Sequence, residues 1–176
     1  MKKVNIFCGR FQPFHLGHLQ CCEDAYNLNG YPTFIFYIPN KQFDSKKPFS
    51  DSLLEKEYQI LIDNYQFIEG FDWMMNPQPV RMCRVLKERG YEAVLWLCGE
   101  DRVDNYKKLL NSNSKDKIKN ELEVNVPEIY ITNRYLSATE VRDYIIQNKK
   151  DEYNKSMPIG TDMLYEEFRN EILKIQ

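Results

Sequence analysis

The chain carries two histidines, and both stand in the stretch "CGRFQPFHLGHLQ": His15 and His18, three residues apart, after Gly9, Arg10, Phe11 and Pro13. Imidazoles placed so could ligate a metal, act as a general base or donate hydrogen bonds to phosphate oxygens. Metal is the weakest of the three. Protease-type zinc helices space their histidines by four, with a glutamate between. Here Leu16 and Gly17 intervene and there is no third histidine. The five cysteines, Cys8, Cys21, Cys22, Cys83 and Cys98, include no Cys-x-x-Cys pair. They read as small buried apolar side chains, so no metal-ligating set is assigned. Gly9 allows a sharp turn and a close approach of backbone to a ligand. Pro13 fixes its own φ and disfavours helix at Gln12. A helix can then begin near His15 to Gly17, and its free N–H groups and macrodipole would attract an anion. An i, i+3 pair at such a start can point one way into a cleft.

The elements that must position these residues alternate. "KVNIFCG" reads as a buried strand ending in glycine, and "GHLQCCEDAYNLNG" as a helix stopped by Gly30. "TFIFYIP" is a second strand and "KQFDSKKPFS" a loop. Ser50 or Asp51 can cap a helix running from about Leu53 to Tyr65. "FDWMMN" fits a short strand and "PVRMCRVLKERG" an amphipathic helix with Val80, Cys83 and Leu86 on one face. "EAVLWLCG" is the clearest strand, with Trp96 in its core pattern, and "DRVDNYKKLL" is helical. "NSNSKDKIKNELEVNV" is polar and reads as an exposed connection of variable order. "EIYITN" is a last strand, and "SATEVRDYIIQN" a helix with Ser137 near its cap. "TDMLYEEFRNEILKI" closes the chain as an amphipathic helix.

This alternation predicts an α/β fold: one Rossmann-like, doubly wound, mostly parallel sheet with helices on both faces. One domain over residues 1–176 is expected, with a helical C-terminal segment from about 137 to 176. Ligands of such sheets bind beyond the carboxyl ends of the strands, where strand order reverses. Three places qualify: residues 8–18, 99–102 and 133–142.

The formal net charge is -2, which gives no long-range attraction to nucleic acid, so no nucleic-acid partner is expected. No apolar run reaches membrane-spanning length, and the N-terminal apolar stretch is too short for a signal peptide. A cytoplasmic protein acting on small molecules, with no membrane partner, is the expectation. A homo-oligomer is compatible with it.

With the elements in place, "GRFQPFHLGH" resembles the signature of the HxGH nucleotidylyltransferases. The likeness is greatest to nicotinamide-mononucleotide adenylyltransferases of the archaeal type and their compact relatives in bacteria and phages. "SATEVR", Ser137 to Arg142, is similar to the family's second signature at the start of a late helix. The resemblance implies that an acceptor phosphate attacks the α-phosphate of ATP and releases pyrophosphate, with magnesium carried mainly by the nucleotide. It implies catalytic roles for His15, His18 and Arg142. It implies nucleotide binding by Gly9, Arg10, Phe11, Gly17, His18, Gly99, Asp101, Arg102, Ser137, Ala138, Thr139 and Arg142. Lys41 and Trp73 fall to the acceptor. The serine motif reads Ser-Ala-Thr where many adenylyltransferases have Ser-Gly-Thr. The stretch after the second strand only loosely matches the segment that shapes the acceptor pocket. Nicotinamide mononucleotide therefore competes with pantetheine phosphate, flavin mononucleotide and sugar or glycerol phosphates, and ATP with CTP. A nucleotide sensor without turnover is the reading from a different class. A fragment of a class I aminoacyl-tRNA synthetase has no Lys-Met-Ser-Lys-Ser stretch to support it.

Overall fold

The structure, a computed structural model, describes residues 1–175. They divide into two compact units. The first comprises Met1–Gly9, Cys21–Ile38 and Phe67–Asn133. It holds five strands: β1 (Lys2–Gly9), β2 (Thr33–Tyr37), β3 (Ile68–Trp73), β4 (Tyr91–Gly99) and β5 (Glu128–Thr132). All neighbours pair in parallel, in the order β3-β2-β1-β4-β5. The chain winds outward from β1 to β3 and then returns to β4 on the other side. Strand order thus reverses between β1 and β4, whose carboxyl ends are Gly9 and Gly99. The expected α/β architecture is the one found.

Alternation along β1 sorts its side chains between the two faces. Val4, Ile6 and Cys8 join Phe34, Phe36 and Trp96 in a core closed by helix α3 (Pro79–Glu88) through Met82, Cys83 and Leu86. Asn5 points the other way. It exchanges side-chain hydrogen bonds of 3.2 and 2.8 Å with Asn29, at the end of helix α1 (Leu16–Asn29). Helices therefore cover both faces.

The polar run after helix α4 (Val103–Leu109) departs from expectation. It is not an irregular connection. Asn111 accepts the Ser114 amide at 3.0 Å and caps helix α5 (Ser112–Asp116), which continues into a π-helical turn, Lys117–Glu121. The reason is burial: Ile118 and Val124 are 0% and 7% exposed in the core beside Leu86 and Trp96. These two buried side chains, with Leu122 and Val126 partly buried against the same core, anchor a segment that is mostly polar. Strand β3 also begins earlier than "FDWMMN", at Ile68, because Ile68 already pairs with Thr33.

The second unit comprises Arg10–Gln20, Pro39–Gln66 and the chain from Arg134. It contains the start of α1, helix α2 (Asp51–Asn64), and helices α6 (Ala138–Ile146), α7 (Lys150–Ser156) and α8 (Tyr165–Leu173). Ser50, not Asp51, caps α2 by accepting the Leu53 amide; Asp51 lies in the first turn, where a negative charge suits the dipole. Helix α7 gave no sequence signal, since Tyr153 is its one buried residue. A short 3-10 turn, Thr161–Leu164, precedes α8. The centre of this unit is aromatic: Phe49 packs edge-on against Phe168 at 4.7 Å, and Tyr153 against Tyr165 at 4.9 Å. Among the described residues, no helix is long and apolar enough to cross a membrane.

Candidate active site

Apart from Gly9, both motifs lie in the second unit, and the start of α1 shows why the histidines have their spacing. The His15 carbonyl accepts the Leu19 amide at 3.0 Å, the first turn's bond, which makes His15 the N-cap. Its Nδ1 accepts the amides of Gly17 and His18, at 3.0 and 3.4 Å. His18 Nδ1 reaches back to accept the His15 amide at 3.1 Å. This is a reciprocal capping box in which two imidazoles replace the usual hydroxyl and carboxylate. It requires an i, i+3 spacing, and it stacks the rings 3.7 Å apart at an interplanar angle of 18°.

Two consequences follow for chemistry. Because Nδ1 of each ring is an acceptor, the proton of each neutral ring sits on Nε2, which is its donor. The amides of Gly17 and His18 are also already bound. The free N–H groups expected at the start of α1 are therefore largely taken by His15. Gly17 is set by the same packing. A Cβ at that position would sit 2.9 Å from His15 Cε1 and 3.0 Å from Leu136 Cβ, so no larger residue fits without displacing the ring.

The histidines are poor bases. Burial, then the Arg142 charge, lowers His15 from its ordinary value to about 4. Loss of water around its ring, then His15, holds His18 well below the ordinary range. The aromatic rings of Phe11 and Phe14 lie 4.9 and 5.1 Å from the His18 ring. Neither histidine is poised to be charged at neutral pH.

Arg142 supplies the charge. It is 9% exposed, and its guanidinium donates to the Gln12 carbonyl at 2.7 Å and to Thr139 Oγ1 at 3.2 Å. No carboxylate of the described residues forms an ion pair with it. Burial accordingly lowers its pKa, against weaker support from Asp143 and Asp44. Ser137 caps α6, accepting the Glu140 amide at 3.2 Å and leaving the first-turn amides of Ala138 and Thr139 without an intrahelical acceptor. The structure thus brings together His15, Gly17, His18, Thr139 and Arg142, and the two motifs meet at Leu136 and Gln12. Arg10 and Lys41 are exposed in the same unit.

Gly9, Gly99, Asp101, Arg102 and Trp73 belong to the first unit. Gly9 does not make the sharp turn expected of it. It ends β1 as a strand residue paired with Tyr37, and the left-handed backbone falls on Phe11, at φ 48°. Phe11 holds that conformation while its ring is packed on Phe14 and His18. A Cβ at Gly99 would lie 2.8 Å from Asp101 Oδ1, so a larger residue there would move that exposed side chain. Trp73 is half-buried and packs edge-on against Tyr37 at 4.2 Å.

Two residues of the site escaped the sequence reading. Gln12 uses its side chain as well as its carbonyl: Oε1 accepts the Phe49 amide at 3.0 Å, and its peptide bond to Pro13 is cis. Glu57 of α2 accepts the Phe14 amide at 2.9 Å from a fully buried position. A signal for Glu57 exists. It stands on the apolar stripe formed by Leu53, Leu54, Tyr58 and Leu61, where a charged residue is out of place.

Comparison with known proteins adds a family. A search of curated proteins finds no significant match. Among solved structures, a putative nicotinate-nucleotide adenylyltransferase from Vibrio parahaemolyticus aligns with a TM-score of 0.62 at 13% identity, covering 94% of this chain and 99% of that one. Plasmodium falciparum nicotinic acid mononucleotide adenylyltransferase, solved in complex with APC and with NaAD, aligns at a TM-score of 0.61 and 14% identity over 98% of both chains. At such identities the likeness is one of fold. The sequence itself matches the cytidylyltransferase-like family model over residues 6–144, a span that takes in both motifs and most of the sheet, and the chain belongs to that family.

Proposed function

We propose that the protein transfers AMP from ATP to the phosphate of nicotinamide mononucleotide, giving NAD and pyrophosphate. The observation that carries this reading is Arg142. A buried guanidinium without an ion pair is costly unless an anion completes it, and this one lies beside two stacked neutral imidazoles whose donors are their Nε2–H groups.

The family resemblance implies the roles, and the geometry is compatible with them. An oxygen of the acceptor phosphate attacks the α-phosphorus in line. The bond from that phosphorus to the oxygen bridging to the β-phosphate breaks, and its electron pair leaves with pyrophosphate. The acceptor phosphate is already ionised near neutral pH, so no general base is required. That suits histidines too weakly basic to accept its proton. His15 and His18 instead donate from Nε2 to oxygens on the transferred phosphorus, where charge grows in the transition state. The Arg142 fork holds the β- and γ-phosphates. The Ala138 and Thr139 amides add donors from α6. Among the described residues, no group of three or more His, Cys, Asp or Glu converges on a metal position. Magnesium, as the resemblance implies, enters as its complex with the triphosphate. The assignments of Gly9, Arg10, Phe11, Gly99, Asp101 and Arg102 to the nucleotide rest on the family resemblance, and those of Lys41 and Trp73 to the acceptor on the attraction of a lysine for an anion and the stacking capacity of an indole.

The solved relatives named for nicotinate mononucleotide support this acceptor class, and the family description supports a second reading, cytidylyl transfer from CTP. Pyrophosphate release measured over a panel separates them. ATP and CTP would each be offered with magnesium to nicotinamide and nicotinic acid mononucleotides, pantetheine phosphate, flavin mononucleotide and glycerol phosphate. The expected result is fastest release with ATP and nicotinamide mononucleotide. His18→Ala should lower it by about a hundredfold or more, the loss typical of one preorganised donor. Triphosphate binding without turnover on any acceptor would instead mark a sensor.

A further inference from the structure

Glu57 is a buried acid that the proposed reaction does not use. It is 0% exposed on α2. Its Oε1 accepts the Phe14 amide at 2.9 Å, while Oε2 has no hydrogen-bond partner among the described residues. No described cation pairs with it. As a packing element it is a poor choice. A leucine of similar volume would fill the stripe between Leu53 and Leu61 without the desolvation cost of a carboxyl group. What the carboxyl adds is an acceptor, placed at one particular amide.

That amide matters because of its place in the chain. Phe14 immediately precedes the N-cap His15, and Pro13 before it has no N–H to offer. The backbone entering α1 therefore has few points at which it can be held. Gln12 provides two: its carbonyl accepts from Arg142 and its Oε1 accepts from the Phe49 amide. The Phe14 amide, held by Glu57, is the third. The Phe14 ring is fixed by the same stretch of α2, since Tyr58 packs edge-on against it at 6.2 Å. Its other ring neighbours are Phe11 and His18, each at 5.1 Å. One turn of α2 thus grips Phe14 by backbone and ring, and Phe14 touches one histidine and leads directly into the other.

We propose that Glu57 is a positioning residue for the histidine pair: by holding the Phe14 amide it fixes the start of α1 and the direction in which the His15 and His18 rings point. The inference deepens the nucleotidyl-transfer reading and rests on it for its effect on turnover. Burial pushes the Glu57 carboxyl well above the usual carboxylate range, opposed only by the Phe14 amide. The titratable side chain whose environment it shares is Tyr153 of α7, which is itself driven up chiefly by burial. Burial therefore favours the neutral form of Glu57 over the carboxylate. Glutamine is then its close mimic, with an amide oxygen in the place of Oε1.

Three measurements on the full chain test this. The chain has two histidines, so the 15N–1H spectrum of the imidazole nitrogens is assignable by one substitution. In the unaltered protein both rings should appear as single Nε2–H tautomers, and the Phe14 amide should exchange slowly with solvent. Glu57→Gln should preserve the ring spectrum and keep kcat within about twofold. Glu57→Leu should mix the tautomers and lower kcat at least about tenfold, with a smaller change in KM for the triphosphate, as misorientation of donors requires. A wild-type ring spectrum in Glu57→Leu, or a Glu57→Gln protein as impaired as Glu57→Leu, overturns the proposal. If the leucine variant does not fold, fast exchange of the Phe14 amide in the unaltered protein overturns it alone. The ring spectra need no substrate, so their answer stands even where the pyrophosphate assay fails.

Discussion

His15 and His18 hold each other through the backbone, and that arrangement makes them sensitive to acid. Protonating either Nδ1 removes an acceptor on which the first turn of α1 depends. For His15 the folded pKa of about 4 lies below the ordinary 6.5. Between those values the unfolded chain binds more protons than the folded one, so stability rises with pH across the window. The stabilisation is fully present above pH 6.5 and is lost as pH falls toward 4. For so buried a ring it is on the order of 3 kcal/mol. Urea unfolding from pH 7.5 down to 4.5 should show this decline, and His15→Asn should make it shallower, the remainder belonging to His18. An equal decline in the variant would place the effect in other groups. At this scale the residue types were legible from the sequence, and a spacing of three with no third histidine already argued against a metal. What residue types could not show is which ring nitrogen the backbone already binds. The left-handed Phe11 and the cis bond after Gln12 left no trace in residue types either.

Helix ends explain most of what was readable among the elements. The glycine-terminated strands and the Ser137 cap follow from local chemistry, and each was found. Ser137→Ala should remove the acceptor for the Glu140 amide and cost about 1 kcal/mol. In a chain of this length that lowers Tm by roughly 2–4 °C. Calorimetry checks it; an unchanged Tm would mean that α6 is held by Val141 and Ile145 packing alone. The elements that were missed share a cause. In residues 111–126 and in α7, one or two buried side chains, Ile118, Val124 and Tyr153, anchor a polar segment. Periodicity cannot register so sparse a pattern, and only the tertiary core reveals it. Glu57 is the reverse case. Its place on the apolar stripe of α2 was visible, but its partner, 43 positions earlier in the chain, was not.

For the molecule as a whole, strand alternation was enough to specify the parallel sheet, because a parallel pair needs a crossover and each crossover here is long enough to contain a helix. Strand order was not readable: β4 returns beside β1 through the core of Trp96, Ile6 and Cys8, a pairing with no local signature. The family match over residues 6–144 and the unpaired, buried Arg142 turn this architecture into a claim about one bond, that between the α-phosphorus and the oxygen leading to the β-phosphate. The direct test is a turnover with ATP labelled at the α- or the γ-phosphorus, nicotinamide mononucleotide as acceptor and magnesium present. The α-label should appear in the dinucleotide, with none on the protein, and the γ-label should leave as pyrophosphate. A γ-label found on the acceptor, or released as orthophosphate, would contradict nucleotidyl transfer.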